Sequence, residues 1–330
     1  MIETSAGGGP APSASAAPAA GVHAIRRRSR VLDQLSHRAV AAAAAANVLL
    51  ILLVVVFLAL RAAPGLKSIG LGQLFGSADW QPDAGIGFGG SSAFGALAPI
   101  LGSFAVVLVG LLIAVPFATS AAVVLAETNP RVGERFIRPA VEVFVGIPSV
   151  VYGYVGFIAL LPIMRHLAPP GRDGSGVLAA GIVLAIMIIP TIASITADGL
   201  LAIPVALREG SLALGATRWQ TIRRVLLPAA RPALVTGIVL GFARAMGEAL
   251  AVALVIGDVN VIPNVRSEGL RALFEPFTTM TVTITDGVDK LAINPDGTAA
   301  RYMLALVLLV VTFISIVVVR MVLRRAESRR

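Results

Sequence analysis

Apolar residues in this chain do not alternate with polar ones. They come in long runs separated by polar stretches. A helix needs about 20 apolar residues to cross a bilayer. Six runs meet that length: roughly 39–60, 104–126, 139–161, 177–197, 233–256 and 302–320. The segments between them, 61–103, 127–138, 162–176, 198–232 and 257–301, carry most of the Gly, Pro and charge. The pattern predicts an all-α, polytopic membrane protein with six transmembrane helices. The first run has 22 residues. That is longer than the roughly 7–15 residues of a signal-peptide core, so it reads as an uncleaved first span.

Composition agrees. The 330 residues are 57% hydrophobic and 14% charged, with a mean hydropathy of +0.88. Soluble domains run about 45–50% apolar and about 25% charged. A single soluble domain, a disulfide scaffold and a disordered chain are excluded. Cysteine is absent, which removes disulfides, thiolate metal sites and a Cys nucleophile. Residues 1–24 are nearly all Ala, Gly, Pro and Ser and read as a disordered cytoplasmic tail. The transmembrane domain is expected over 25–325, with a short basic cytoplasmic tail at 326–330.

The net charge of +9 would suit a nucleic-acid binder, but its distribution does not. The 27 basic residues sit in short clusters between apolar runs rather than on one face. This is a topology signal, not a nucleic-acid footprint. Eighteen of them fall in the N-terminal segment, 127–138, 198–232 and the C-terminal tail; eight fall in the other three loops; Arg244 lies inside a span. The positive-inside rule then places both termini in the cytoplasm.

Several chemistries are missing. No G-x-x-x-x-G-K-[ST] string is present, so the chain lacks the loop that cradles nucleotide phosphates. His23, His37 and His166 are scattered without metal-ligand spacing, and no metal site is expected.

Three segments carry candidate function. In the loop 198–232, Glu209-Gly210-Ser211, then Gly215, then Val225-Leu226-Leu227-Pro228 predict a helix, a glycine turn and a second short helix ending near Pro228. Gly215 suits a left-handed helix exit. On physics alone, the loop could equally lie on anionic headgroups through its arginines. In the third run, Pro148 removes a helical donor and frees the Phe144 carbonyl. Gly146, Gly153 and Gly156 permit close helix approach. A kinked packing helix and a broken helix lining a substrate path, with Pro148 and Ser149 at the break, both fit. In the fifth run, Arg244 and Glu248 stand four residues apart, one turn on a continuous helix. They suit either a structural ion pair or an anion site, in which the Arg fork binds two oxyanion atoms and Glu248 holds or releases the anion.

These residues also carry a resemblance. The spacing of Glu209, Gly215, Val225, Leu227 and Pro228 is similar to the coupling loop of binding-protein-dependent ABC importer permeases, E-A-A-x-x-x-G followed nine residues later by I-x-L-P. Gly210 and Ser211 replace the two alanines. GIPSVVYG over 146–153 and RAMGE over 244–248 resemble phosphate-uptake (Pst) permeases. Trp80, Pro82, Phe94-Gly95 and Pro99-Ile100-Leu101-Gly102-Ser103 resemble the PstC-type subunit. The resemblance spans about residues 30–325. It implies a non-catalytic permease subunit of a phosphate importer in the plasma membrane of a bacterium, with 198–232 as the coupling loop. The implied partners are a PstA-type permease, two ATPase subunits that bind ATP and Mg, and an extracytoplasmic phosphate-binding protein. This chain itself would hold no cofactor. A permease for molybdate or sulfate, and an ATP-independent secondary transporter, are the competing readings.

Overall fold

The computed structural model describes residues 19–83, 92–128, 133–286, 288 and 295–328. The chain divides at Val56 into two units. Residues up to Val56 contribute most of one helix, α1 (Ala19–Ser68), whose last turns belong to the second unit.

The second unit holds the remaining elements. A short helix α2 (Gly70–Gly76) leads to a two-stranded antiparallel hairpin, β1 (Trp80–Gln81) and β2 (Ala93–Phe94). Next come α3 (Leu97–Val123), prolonged by a wide π turn over Val124–Thr128, and α4 (Arg138–Gly146). The helices α5 (Ser149–Leu167) and α6 (Val177–Leu201) follow. Then come α7 (Val205–Ala213), α8 (Arg218–Ala229), α9 (Arg231–Met246) and α10 (Leu250–Ile256). The chain closes with α11 (Met280–Thr285) and α12 (Pro295–Ser328).

Helix α6 forms the centre. It is apolar on every side, and Ala180, Val183, Leu184, Ala185, Met187, Ile188 and Ile192 are all buried, as expected for a helix surrounded by others. Its neighbours α3 and α9 approach through small residues. Gly110 of α3 and Gly181 of α6 face one another; a side chain at Gly110 would press on Leu184 Cβ at 3.3 Å. Gly237 and Gly241 of α9 lie against Ile192. Between helices in lipid the hydrophobic effect is weak, so close van der Waals contact at small residues carries the association. Outward residues such as Leu108, Leu112 and Phe117 remain exposed, as suits a surface that faces acyl chains.

Among the described residues, five helices are long and apolar enough to cross a membrane: Ser36–Ser68, Leu97–Glu127, Ser149–Leu167, Val177–Leu201 and Pro295–Met321. The count is six if α8 and α9, bent by 66° at Ala230, are taken together as one broken span. Two expected spans are corrected. The run 139–161 is split at Ile147–Pro148, and its crossing helix begins at Ser149. The run 233–256 stops at Met246 and resumes at Leu250. Helix α1 begins at Ala19, inside the segment 1–24 expected to be disordered, and residues 1–18 lie outside the described residues. The Ala- and Arg-rich sequence over 19–38 prolongs the helix because both are strong helix formers and propagation is cheaper than nucleation. Helix α12 likewise runs into the expected tail, through Ser328. Arg131, Lys290, Arg329 and Arg330 fall outside the described residues.

Gly102 is the tightest of these small-residue contacts. A methyl group there would overlap the Thr278 carbonyl oxygen. The next residue, Ser103, accepts the Met280 N–H at 2.9 Å and donates to Pro99 O at 2.9 Å. Gly102→Ala should therefore part α3 from the segment before α11. The expected cost is about 1–3 kcal/mol of stability, seen as a lower melting temperature of the detergent-purified protein, while Gly72→Ala, which meets nothing within 4 Å, should have little effect by that route.

Candidate functional site

Two helix breaks carry the candidate pathway residues. At the first, α4 ends at Gly146 and Pro148 is extended (φ −58°, ψ 139°) before α5 starts at Ser149. Pro148 has no N–H for the Phe144 carbonyl, and the Tyr152 hydroxyl donates to that carbonyl instead, at 2.6 Å. Val151 N–H in turn reaches Pro148 O at 3.0 Å. The helix is thus broken here rather than bent. Just beyond the break α5 packs tightly. Side chains at Gly153 and Gly156 would each come within 2.7 Å of a neighbour, Ala251 of α10 and Val183 of α6 respectively.

At the second break, Gly247 and Glu248 donate their N–H groups to Ala243 O and Ala245 O, both at 3.3 Å, closing α9. Glu248 then turns to the next helix: its Oε1 accepts the Ala251 N–H at 3.1 Å, and its carbonyl accepts the Thr281 hydroxyl at 2.7 Å. Arg244 remains on α9 and donates through Nη1 to Thr191 Oγ1 of α6 at 3.2 Å. Of the two readings left open for Arg244 and Glu248, the structural ion pair is not formed. The helix stops between them, each has a different partner, and among the described residues no ion pair joins them. Arg244 is half-buried, and Gly153, just past the first break, lies against Ala251, just past the second, so the two breaks belong to one neighbourhood.

The loop 198–232 folds as the spacing predicts. Helix α7 ends in a Schellman motif: Gly215 N–H bonds Leu212 O at 3.0 Å and Ala216 N–H bonds Ser211 O at 3.3 Å, with Gly215 at φ +83°. Thr217 opens α8 with a capping box, its hydroxyl accepting from Gln220 N and the Gln220 side chain accepting from Thr217 N. Such reciprocal bonds satisfy two otherwise orphaned donors. Glu209 is exposed, Val225, Leu227 and Pro228 are half-buried, and Leu214 and Trp219 project outward at 90% and 61% exposure. Helix α8 ends at Ala229, one residue past Pro228.

Polar residues not singled out from the sequence complete the picture. Thr191, Tyr152 and Thr281 are partners of the break residues, yet hydroxyls inside apolar runs carry no periodic signal. Arg208 reaches Glu127 at 2.7 Å; the sequence offered it only as a topology charge. At the other end, Arg172 bridges Glu268 and Glu275, both at 2.7 Å. Its hydrogen bond holds the Glu275 carboxyl below the ordinary carboxylate range. Arg301, 4% exposed, pairs with Asp83.

A bundle of apolar helices, two of them broken in one neighbourhood, with a helix–glycine–helix loop at one end, defines a membrane permease. The family described as the inner membrane component of binding-protein-dependent transport systems matches residues 114–328, and the chain belongs to it. Among its relatives, the Probable ABC transporter permease protein YqgH of Bacillus subtilis (strain 168) is 44% identical over 227 residues, 69% of this chain and 71% of the relative. The phosphate transport system permease protein PstC of Xylella fastidiosa (strain 9a5c) is 34% identical over 274 residues, 77% and 79% of the two chains. PstC 1 of Mycobacterium tuberculosis (strain ATCC 25618 / H37Rv) is 36% identical over 256 residues, 71% and 73%. The chain is therefore the multi-pass inner-membrane component of a bacterial ABC importer, a class that works with ATPase and binding-protein partners.

Gly215 gives a test of the loop geometry. A side chain there meets nothing within 4 Å, so any penalty is conformational. If the loop docks an ATPase subunit, Gly215→Val should leave the protein inserted but weaken that association, because a β-branched residue opposes positive φ. Gly215→Asn, which tolerates that region, should retain most of it. Pull-down of the ATPase with each purified variant measures the difference.

Proposed function

We propose that this chain is the PstC-type permease subunit of an ATP-driven importer of inorganic phosphate. It forms half of the translocation pathway beside a PstA-type permease. Two ATPase subunits bind and hydrolyse ATP with Mg, and an extracytoplasmic binding protein delivers phosphate. The observation that carries the reading is Arg244, an arginine half-buried within an otherwise apolar bundle beside two helix breaks and not neutralised by Glu248. An unneutralised guanidinium at this depth is costly unless it faces a cavity or a partner, and its planar fork suits two oxygens of a phosphate. The names of the PstC relatives point to the same anion.

In this reading Pro148, Ser149 and Glu248 line the path beside Arg244. The loop residues Glu209, Gly215, Val225, Leu227 and Pro228 dock an ATPase subunit. Closure of the ATPases moves the loop and re-orients the helices, so that the anion site opens alternately to the two sides. Charge supports cytoplasmic termini. The basic side carries 18 residues, whereas on the other side Arg172 and Arg301 are neutralised by acids. A single cysteine placed at exposed Thr285 should label from outside intact cells, and one at exposed Thr217 should not. Outside labelling at Thr217 would overturn the orientation and the docking loop together.

Uptake by the reconstituted complex tests the substrate. Phosphate should accumulate with ATP, and excess molybdate or sulfate should not compete; competition by either would transfer the reading to that anion. In assembled complexes Arg244→Gln should lower uptake roughly 10- to 100-fold, the equivalent of losing a charged hydrogen bond of about 1.5–3 kcal/mol. Arg244→Lys restores the charge but not the fork and should recover part of the activity. Normal uptake by an assembled Arg244→Gln, Glu248→Met protein would show that neither residue meets the substrate.

A further inference from the structure

Helix α7 touches the rest of the protein in a restricted way. It packs chiefly on the first turns of α8. Its inward face is formed by residues three apart, Arg208 and Ser211, which share one side of a helix. Ser211 is buried and hydrogen-bonds Thr221 of α8 at 3.0 Å. Arg208 is the reach in the other direction. Its Nε and Nη2 engage the Glu127 carboxylate at 2.7–3.3 Å. Nη2 also donates to Leu200 O at 2.7 Å, and Nη1 donates to Ile203 O at 2.9 Å. One guanidinium thus joins α7 to the end of α3, where Glu127 lies in a π turn, to Leu200 O in the last turn of α6 and to Ile203 O just beyond it. The negative end of the α6 dipole suits the cation.

We propose that Arg208 and Glu127 form the positioning clamp that carries movement of α7 into α3 and α6. The proposal rests on the reading of 198–232 as the ATPase-docking loop. A bidentate pair fixes direction as well as distance, which a flexible point charge would not. The two routes out of α7 also end on the same bond. Through Ser211 and Thr221 the loop holds α8, and across the 66° bend α9, which carries Arg244. Through Arg208 it holds α6, which carries Thr191, the partner of Arg244. Displacing α7 with the clamp intact moves both sides of the Arg244–Thr191 contact; with the clamp cut, only the α9 route remains.

Spatial continuity alone does not demonstrate coupling, so the test reads a ratio. The whole transporter, with its partner permease, ATPases and binding protein, is reconstituted in proteoliposomes, and phosphate imported per ATP hydrolysed is measured. Arg208→Lys and Glu127→Gln should assemble and hydrolyse ATP, with the ratio lowered at least about fivefold. The charge-exchanged protein, Arg208→Glu with Glu127→Arg, should recover more of the ratio than Arg208→Glu alone. A purely structural contact would reduce the amount of complex but leave the ratio unchanged. An unchanged ratio in either assembled single variant overturns the clamp, as does failure of both to assemble, which would assign the contact to folding. A wild-type chain that does not retain an ATPase would instead overturn the docking-loop reading.

Discussion

In hydrocarbon a peptide N–H or C=O without a partner costs several kcal/mol, roughly the stability of a whole turn of helix. Every irregularity in this bundle must therefore be paired from within, and that requirement shapes the candidate pathway. The Phe144 carbonyl, left without its helical donor by Pro148, takes the Tyr152 hydroxyl. The Ala251 N–H at the start of α10 takes the Glu248 carboxylate, and the Glu248 carbonyl takes Thr281. Each break fixes a polar side chain that the continuous helix would have left free. The side chains that make the breaks tolerable thereby also hold them in place, and Arg244 is set beside them rather than against Glu248.

The same constraint explains the small residues. Once the polar groups are paired, only van der Waals contact holds helix to helix, so backbones must come close. Gly102, Gly110, Gly153 and Gly181 stand where a side chain would collide with a neighbour. Gly215 is different, since it meets nothing and serves through its positive φ alone. Glycine thus has two separable uses here, close packing in the membrane and a left-handed exit in the loop.

How much of this was legible in the sequence varies with the kind of signal. Apolar runs are long, so the presence of helices was legible, but their limits were not: the run 139–161 gives way to a helix over Ser149–Leu167, and 233–256 breaks after Met246. Gly215 was readable because a glycine at a helix exit has one local job. The run 233–256 misled because Arg244, Gly247 and Glu248 keep the composition of a helix, and nothing in their spacing reveals that α9 stops at Met246. For that reason the sequence left an Arg244–Glu248 ion pair open beside the anion-site reading. Pro148 was a legible break, but Tyr152 as its remedy was not, since a hydroxyl four residues on suits lipid interfaces and cores alike. Arg208 and Glu127, 81 residues apart, share no local pattern; only the fold brings them together.

The placement of charge then follows a division of labour. On the side read as outer, Arg172 and Arg301 meet carboxylates and close the loops on one another. Their charges are neutralised by those carboxylates, although the buried Arg301 Nε has no partner among the described residues. At the opposite end Arg208 is neutralised too, by Glu127, and it also bonds the Leu200 and Ile203 carbonyls. Arg244 differs from both, since among the described residues the partner it engages is one neutral hydroxyl, that of Thr191. A guanidinium offers five donors, and a single threonine engages only one of them. A half-buried guanidinium held by one neutral hydroxyl keeps donors that the proposed anion could take.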